Sequence, residues 1–442
     1  MIKFFRKLWR DRRGNALVIA GAALPLIIGS AGLASDTIQW VLWKRQLQRA
    51  ADSAAIAGVY ATIQNQTNPT VQTVANAVNT DVDKVDSFRR PGAVSTHPGY
   101  ALQSEPTITY PTITNVTNAV KVVLAVQKPL GFSGVFLSSA PVITASATAG
   151  TVQTGVYCVV SLENTSATGI TATGNSDIDL GCGMITNSTS LNAAIATGSS
   201  SVEATPIAAV GDIQDSTHWN DAELLPFTVA ERDPYGDVDR PTNFPGGSCP
   251  SYTAPSNQTA PALVAGTDYL TTSDGYYCMG GMRLQGTVTL PDGVYVIDGG
   301  DFTVGAQAHV TCAHCSFILT NRNNGTSGIQ IGNVDIAGGA QLNLGPPTGG
   351  TYDNILFYQD RRASSGSSAT NNINGNSSSV FSGAFYFPTR TLDINGTSNL
   401  TFDCGQFVAR TVNFSGNGSI TNTCDDGYDD DTITGNHVRL VA

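Results

Sequence analysis

Two stretches near the end of the chain decide the fold: LDINGTSNLTF at residues 392–402 and VNFSGNGSI at residues 412–420. In both, apolar residues alternate with short polar ones, and Gly or Asn marks the corner between two short runs. The same phrase recurs upstream, in ITATGNSDIDL (170–180), FTVGAQAHV (302–310) and IQIGNVDIAGGAQLNL (329–344). Such recurrence is typical of stacked repeats that bury their apolar residues against their neighbours. We therefore predict a mainly β domain over residues 155–442, a parallel β-helix or solenoid-like domain; a β-sandwich is the alternative.

The stretch before this domain, residues 62–154, predicts a small α+β module. One helix is expected from about Thr70 to Val85. Three strand signals follow, TITYPTI (107–113), AVKVVLAVQ (119–127) and VITASATAGTV (142–152). No motif of catalytic chemistry falls in this module.

Near the N-terminus, residues 14–35 form an apolar run without charge. At about 1.5 Å per residue the run makes a helix of roughly 33 Å, enough to cross a hydrocarbon core of about 30 Å. Residues 1–13 form a basic head, and basic residues stay on the cytoplasmic side of a membrane. We predict a transmembrane helix over 14–35 with the body on the far side. A cleaved secretory signal is the alternative, because Ala-Gly-Leu-Ala before Ser35 resembles a cleavage site.

The helical pattern continues through residues 36–61, which predict a helical stalk. Its second half carries a stripe of small residues, Ala50, Ala51, Ala54, Ala55 and Ala57. Small side chains let another helix approach closely, so the stripe predicts a packing surface. Either a second subunit or this chain's own next module can cover it.

Charge is sparse and unevenly placed. The first 14 residues hold six of the 23 basic residues, so the rest of the chain carries 17 basic and 33 acidic residues, a net charge of −16. An acidic body offers no basic patch to neutralise phosphates, and we expect no nucleic-acid partner.

Eight cysteines lie after the predicted membrane span, and an even count in an oxidising compartment indicates disulfides. Pairing of nearest neighbours would join Cys158 with Cys182, Cys249 with Cys278, Cys312 with Cys315, and Cys404 with Cys424. About 105 connectivities are open to eight cysteines.

Two segments suggest metal ligands. Cys312-Ala-His-Cys315, with His309 upstream, has good zinc ligands, but a structural zinc site usually needs a second such pair. The acidic run Asp425 to Asp431 lacks the spaced pattern of a calcium loop, and a solvated loop is the simpler interpretation. We expect neither a metal nor a cofactor.

Carboxylates are the remaining candidates for chemistry, because β-solenoids can cleave polysaccharides with a pair of acidic residues. The candidates are Asp298, Asp301, Asp335, Asp353, Asp360, Asp393 and Asp403. General acid and base catalysis of this kind needs two carboxyl groups within about 5–10 Å. Most of these residues stand beside Gly or Asn, where Asp commonly closes a turn. We expect no catalytic residues.

The N-terminal residues resemble a known family. RRGNALVIAGAALPLIIGSAGLASD (12–36), followed by LQRAADSAAIAGV (47–59), is similar to the anchor of the TadE/TadG-like proteins of the tight-adherence (Flp) pilus assembly system. The phrases CVVSLENTSATGITATGNSDIDLGCGMITNS, LPDGVYVIDGG, ILFYQDR and GAFYFPTRTLDINGTSNL resemble the β-rich bodies of some TadG-like proteins. The metal-binding DxSxS of many such proteins is absent, so metal-dependent adhesion is not carried over. Ile19 stands where a prepilin cut after Gly14 would have Glu, so prepilin processing is not carried over either.

The resemblance implies an inner-membrane protein with a periplasmic body that acts in pilus assembly, adherence and biofilm formation. Its expected partners are the membrane, other pilus assembly proteins and, through the alanine stripe, another copy of the chain. Two other classes remain open. One is a surface adhesin, and the other is a polysaccharide-active lyase or hydrolase.

Overall fold

A computed structural model gives the fold over the residues that it describes: 12–64, 71–84, 88–93, 100–128, 132, 134, 138–325, 329–365, 370–396, 399–424 and 433–441. Most of the basic head and the acidic run Asp425 to Asp431 lie outside these ranges. The chain divides into two compact units, Met1–Val152 with Val438–Ala442, and Gln153–His437. The predicted module of 62–154 thus ends near the boundary between the units, and the predicted domain of 155–442 extends past the second unit.

The first unit begins with one long helix, α1 (Arg12–Gln64), which contains Pro25. The predicted span and stalk are therefore parts of one helix. Over Ile19–Ile63 the helix is long and apolar enough to cross a membrane, and only 11% of its most apolar window is buried. The core helix of a soluble protein can be as long and apolar, but it would be mostly buried. A signal sequence near the N-terminus can also be this long and apolar. The expected long apolar N-terminal helix is confirmed.

The C-terminal half of α1 packs against helix α2 (Val71–Lys84) and a small sheet. The strands of the unit are β1 (Phe88–Arg89), β2 (Tyr100–Ala101), β3 (Thr107–Thr109), β4 (Thr117–Gln127) and the first part of β5 (Val142–Ser161). Strands β3, β4 and β5 pair antiparallel. A Cβ at Gly58 would lie 2.8 Å from Val120, so only glycine lets α1 approach β4 this closely.

The regular secondary structure described in the second unit consists of strands, as the sequence predicts. In chain order they are the last part of β5, β6 (Ile170–Ala172), β7 (Asp177–Asp179), β8 (Gly183–Thr186), β9 (Ala194–Ala196), β10 (Ser201–Glu203), β11 (Ile207–Ala209), β12 (Leu224–Leu225), β13 (Ser251–Thr253), β14 (Leu270–Thr271), β15 (Tyr277–Met279), β16 (Gly281–Leu284), β17 (Thr287–Thr289), β18 (Gly293–Asp298), β19 (Phe302–Val304), β20 (His309–Cys312), β21 (Cys315–Thr320), β22 (Val334–Ile336), β23 (Gln341–Leu344), β24 (Ile355–Gln359), β25 (Thr370–Ile373), β26 (Val380–Asn395), β27 (Leu400–Ser415), β28 (Ser419–Thr423) and β29 (Ile433–Leu440).

Apart from β14, which pairs antiparallel with β15, and β29, these strands form three ladders of parallel pairs. Ladder 1 runs through β15, β18, β21, β24, β26, β27, β5, β8, β11 and β12. Ladder 2 runs through β13, β16, β19, β22, β25, β26, β27, β6 and β9. Ladder 3 runs through β17, β20, β23, β26, β27, β28, β7 and β10. A β-sandwich has antiparallel sheets, so the parallel pairing does not fit that alternative.

The order of strands along the ladders differs from their order in the chain. The chain enters ladder 1 at β5 and proceeds through β8 and β11 to β12 at one end. The chain next enters ladder 1 at β15, which lies at the other end. From there it adds strands toward the middle of the ladder until β27 pairs with β5. Phe407 stands opposite Val159, Val412 opposite Ile170, and Ile420 opposite Ile178. We call this junction of β27 and β28 with β5, β6 and β7 the seam.

A column of aromatic rings fills the inner side of ladder 1. The strands of this ladder from β15 to β27 contribute one ring each, and Tyr269, just before β14, adds another. Neighbouring centroids lie 4.7–5.5 Å apart along Tyr269, Tyr277, Tyr295, Phe317, Phe357, Phe385 and Phe407. Most of these side chains are fully buried. Because parallel strands in register place equivalent residues about 4.8 Å apart, the rings stack without shifting the backbone.

The segment between β12 and β13, residues 226–250, crosses the outer side of ladder 1, and we call it the strap. The hydroxyl groups of Tyr358 and Tyr386 donate to the Val238 carbonyl at 2.9 Å and to the Asp233 carboxylate at 2.7 Å. Arg361 donates to the Val238 carbonyl at 3.0 Å. The strap therefore satisfies polar tips of large side chains that would otherwise lie on an exposed apolar face.

We expect truncation of one ring of the column to destabilise the body. Phe357 contacts four other aromatic rings and is fully buried, so Phe357→Ala should lower the free energy of unfolding by about 3–5 kcal/mol. Denaturant unfolding followed by near-UV circular dichroism measures the change. Leu191→Ala is the matched control, because Leu191 is 77% exposed and its loss should cost less than about 0.5 kcal/mol. Equal midpoints for the two variants would contradict the role of the column.

Candidate functional site

The outer side of ladder 2 carries a groove whose described lining consists of short polar side chains. Its volume is about 430 Å³, within the range of roughly 300–1,000 Å³ usual for ligand sites. We call it the polar groove; its residues are Thr171, Thr173, Asn372, Asn374, Asp393, Asn395, Asn413 and Ser415. They come from or directly follow β25, β26, β27 and β6, so the groove extends across the seam.

Strand alternation places these residues outward. In β26, Leu392 and Ile394 are fully buried, whereas Asp393 between them points to the groove. In β27, Asn413 stands in the same way between two buried neighbours. Across the strands, Asn372, Asp393, Asn413 and Thr171 are successive partners in register. The groove is therefore a row of hydrogen-bonding groups about 4.8 Å apart.

Asp393 contributes the one carboxylate among the described residues of the groove. The Asn413 amide donates to its Oδ1 at 2.7 Å. Burial raises the pKa of Asp393, and the hydrogen bond from Asn413 opposes this shift. The side-chain oxygen of Asn395 is buried and meets no donor among the residues that the structure describes.

The seven candidate aspartates separate into three groups. Asp335 lies in the same outward row as Asp393, with Asn372 between them, and accepts from the Asn372 amide at 3.2 Å. Asp298 pairs with Arg322 and Asp360 with Arg362, where they tie loops and the strap to the ladders. The others make no carboxylate pair: Asp301 accepts from the Asn333 backbone, Asp353 is exposed in a turn, and Asp403 is exposed within β27.

The structure joins the eight cysteines in four disulfides. They are Cys158–Cys182, Cys249–Cys278, Cys312–Cys315 and Cys404–Cys424, the four neighbouring pairs of the sequence. Cys249 and Cys278 join the end of the strap to β15. Together with Asp298 they form the one described cluster whose ligand atoms are close enough for a metal ion. In the disulfide these sulfurs are no longer thiolates, and Asp298 is engaged by Arg322.

The alanine stripe faces the first unit's own core. Ala50, Ala51, Ala54 and Ala55 are fully buried where α1 meets α2 and β4, and Ala57 is half-buried. The Ser53 hydroxyl donates to Asp81 of α2 at 3.0 Å. Burial raises the pKa of Asp81, and this hydrogen bond opposes the shift. The chain's own next module therefore covers the stripe in this structure.

One residue of the strap, Glu231, has a side-chain carboxyl group with a raised pKa. Asn187 holds Glu231 by accepting from its backbone N–H at 2.7 Å and donating to its carbonyl at 2.8 Å. Burial raises the pKa of the Glu231 carboxyl to about 7, and a hydrogen bond from the Arg232 backbone opposes the shift.

The N-terminal part of the chain matches one family model. Residues 14–61 match the family described as Putative Flp pilus-assembly TadE/G-like, which confirms the TadE/TadG-like identification for this segment. No curated protein matches the sequence. No solved structure matches the chain either.

Sequence reasoning missed both the polar groove and the strap. The alternation in residues 392–402 and 412–420 indicates polar side chains on the outer side of two strands. Nothing in the sequence indicates that β27 pairs with β6. The strap had no periodic pattern at all, since its residues bind through backbone carbonyls and isolated side chains.

Glu231 predicts a pH dependence of stability. The folded state binds its proton more tightly than the unfolded state, so stability should fall as pH rises from about 4.5 to about 7. The expected loss is about 1–3 kcal/mol, after allowance for residual exposure to solvent. The unfolding midpoint of the wild type should decrease as pH rises across this range, whereas the midpoint of Glu231→Gln should depend less on pH. Asp237→Asn is the control, because Asp237 is an exposed carboxylate of the same strap; a wild-type slope in Glu231→Gln would refute the assignment.

The disulfides predict the alkylation pattern of the isolated protein. Mass spectrometry should find no cysteine alkylated before reduction and all eight alkylated after reduction under denaturing conditions. Eight reactive thiols without reduction would show that the pairs do not form in the cell.

Proposed function

We propose that the chain is a membrane-anchored structural or assembly component of a Tad-type (Flp) pilus. The observation that carries this proposal is the position of the TadE/G-like match, which covers residues 14–61 of α1. The match thus coincides with the apolar helix and its alanine stripe. In this proposal other pilus assembly proteins are the partners, and the protein acts in adherence and biofilm formation.

The proposed location is the bacterial inner membrane, with α1 crossing it once. The six basic residues before the apolar run favour a cytoplasmic N-terminus. The four disulfides favour an oxidising compartment, so the body would lie in the periplasm. Self-association would use surfaces other than the alanine stripe, because the first unit already buries four of its five residues.

For the body we propose a β-solenoid of three ladders. Its support is the repeated pairing of each strand with the strand three positions later, as in β16 with β19 and β19 with β22. Such a body is rigid along its axis and exposes long side faces, which suits a structural role.

A structural role is favoured over catalysis by the arrangement of the carboxylates. Asp335 and Asp393 lie in one row, but strand β25 with Asn372 lies between them. Of these two carboxylates, only Asp393 is among the described residues that line the polar groove. Two strand spacings amount to roughly 9–10 Å, at the upper limit for an acid and base pair. We therefore propose that the protein is not an enzyme.

Fractionation of cells that express the chain with a C-terminal tag tests the proposal. We expect full-length protein in the membrane after alkali extraction, with the tag open to protease only once the outer membrane is permeabilised. A shortened soluble product would mean that the N-terminus is a cleaved signal. A tag that protease reaches on intact cells would favour the surface adhesin instead.

A further inference from the structure

The polar groove has the chemistry of a ligand site that pilus assembly does not explain. Seven of its eight side chains are hydroxyls or carboxamides, and one is a carboxylate. Among the residues that the structure describes, no lysine, arginine or large apolar side chain lines the groove. Hydroxyl and carboxamide groups both donate and accept hydrogen bonds, whereas a carboxylate only accepts them.

One acceptor in the groove has unused capacity. For the carboxylate of Asp393, the described part of the chain provides the Asn413 amide as a donor to one oxygen. The side-chain oxygen of Asn395 also lacks a donor among the described residues, but it is enclosed, and a ligand in the groove does not reach it in this structure. Hydrogen bonds to a charged group contribute about 1.5–3 kcal/mol, so a ligand that donates to Asp393 gains affinity here.

The lining argues against ions and apolar ligands. An anion such as phosphate would meet the Asp393 carboxylate and, among the described lining residues, no cationic side chain. A cation would need several oxygens at about 2.3–2.6 Å, but Asp335 lies two strands away from Asp393. An apolar ligand or the core of a protein interface would leave the amides and hydroxyls without partners.

We propose that the polar groove binds a neutral, polyhydroxylated ligand, namely an uncharged oligosaccharide or polysaccharide. The ligand's hydroxyl groups donate to Asp393 and accept from Asn413, Asn372 and Thr171. Because the row continues across successive strands, a longer saccharide contacts more rungs than a disaccharide and binds more tightly. Without an aromatic platform, recognition rests on hydrogen bonds alone.

A glycan array of neutral and acidic oligosaccharides, probed with the full-length chain, tests this assignment. The protein is kept in a detergent without a sugar head group, so that the detergent does not compete. The test variant combines Thr171→Val and Asn413→Ala, a cross-strand pair within the groove. The control combines Thr311→Val and Asn343→Ala, a cross-strand pair of the same residue types that is exposed on ladder 3. Near-UV circular dichroism checks that both variants keep the native fold. If the double variant in the groove does not fold, Thr171→Val alone replaces it in the binding test.

We expect the wild type to bind neutral saccharides, with affinity that rises with chain length. The groove variant should bind at least about tenfold more weakly, because it loses two or more hydrogen bonds, while the control should match the wild type. Absence of binding to every neutral saccharide would overturn the proposal, as would equal weakening in both variants or binding to acidic saccharides alone. A dimer that the groove variant abolishes, without glycan binding, would assign the face to a second copy of the chain.

Discussion

The pairing of β27 with β5 is the constraint on which the rest of the body depends. It joins residues far apart in sequence; the Ser161 hydroxyl, for example, donates to the carbonyl of Arg410, 249 positions away, at 2.9 Å. This pairing makes one continuous ladder from two separate stretches of chain and leaves the strap to connect its far ends. It also brings Thr171 beside Asn413 and so completes the polar groove. A contact of such long range closes a large loop, so it forms at a high entropic cost.

Local signals in the sequence account for the strands, the apolar helix and the outward or inward direction of most side chains. Alternation in LDINGTSNLTF identifies Leu392 and Ile394 as core residues, and the structure buries both. The ring column also has a local signal in the phrases VYVI, SFIL, LFYQ and AFYF, each with an aromatic residue in a short apolar run. Its stacking could not be predicted, because the stacking depends on the register between strands.

The partners of individual polar residues could not be predicted, since they lie in distant parts of the chain. Asp393 and Asn413 each stand between two apolar residues in separate stretches of sequence, and nothing in the sequence assigns them to one site. The structure instead places them on adjacent strands, facing one groove. Arg361 gives no hint in sequence of its contacts with the strap, more than a hundred residues upstream. Such contacts follow from the order of strands in the ladders, which repeats of low complexity leave undetermined.

The seam also determines how the body would respond to mechanical force. In many stacked-repeat proteins the chain ends lie at the two terminal repeats, so a pull on an end can peel repeats away one at a time. Here the second unit begins at Gln153, within β5, which has β27 on one side and β8 on the other. A pull on the chain at Gln153 therefore meets a strand that is hydrogen-bonded on both sides, and the strap still holds the far ends. A body built in this way resists extension at the very point where tension from an anchor would enter it.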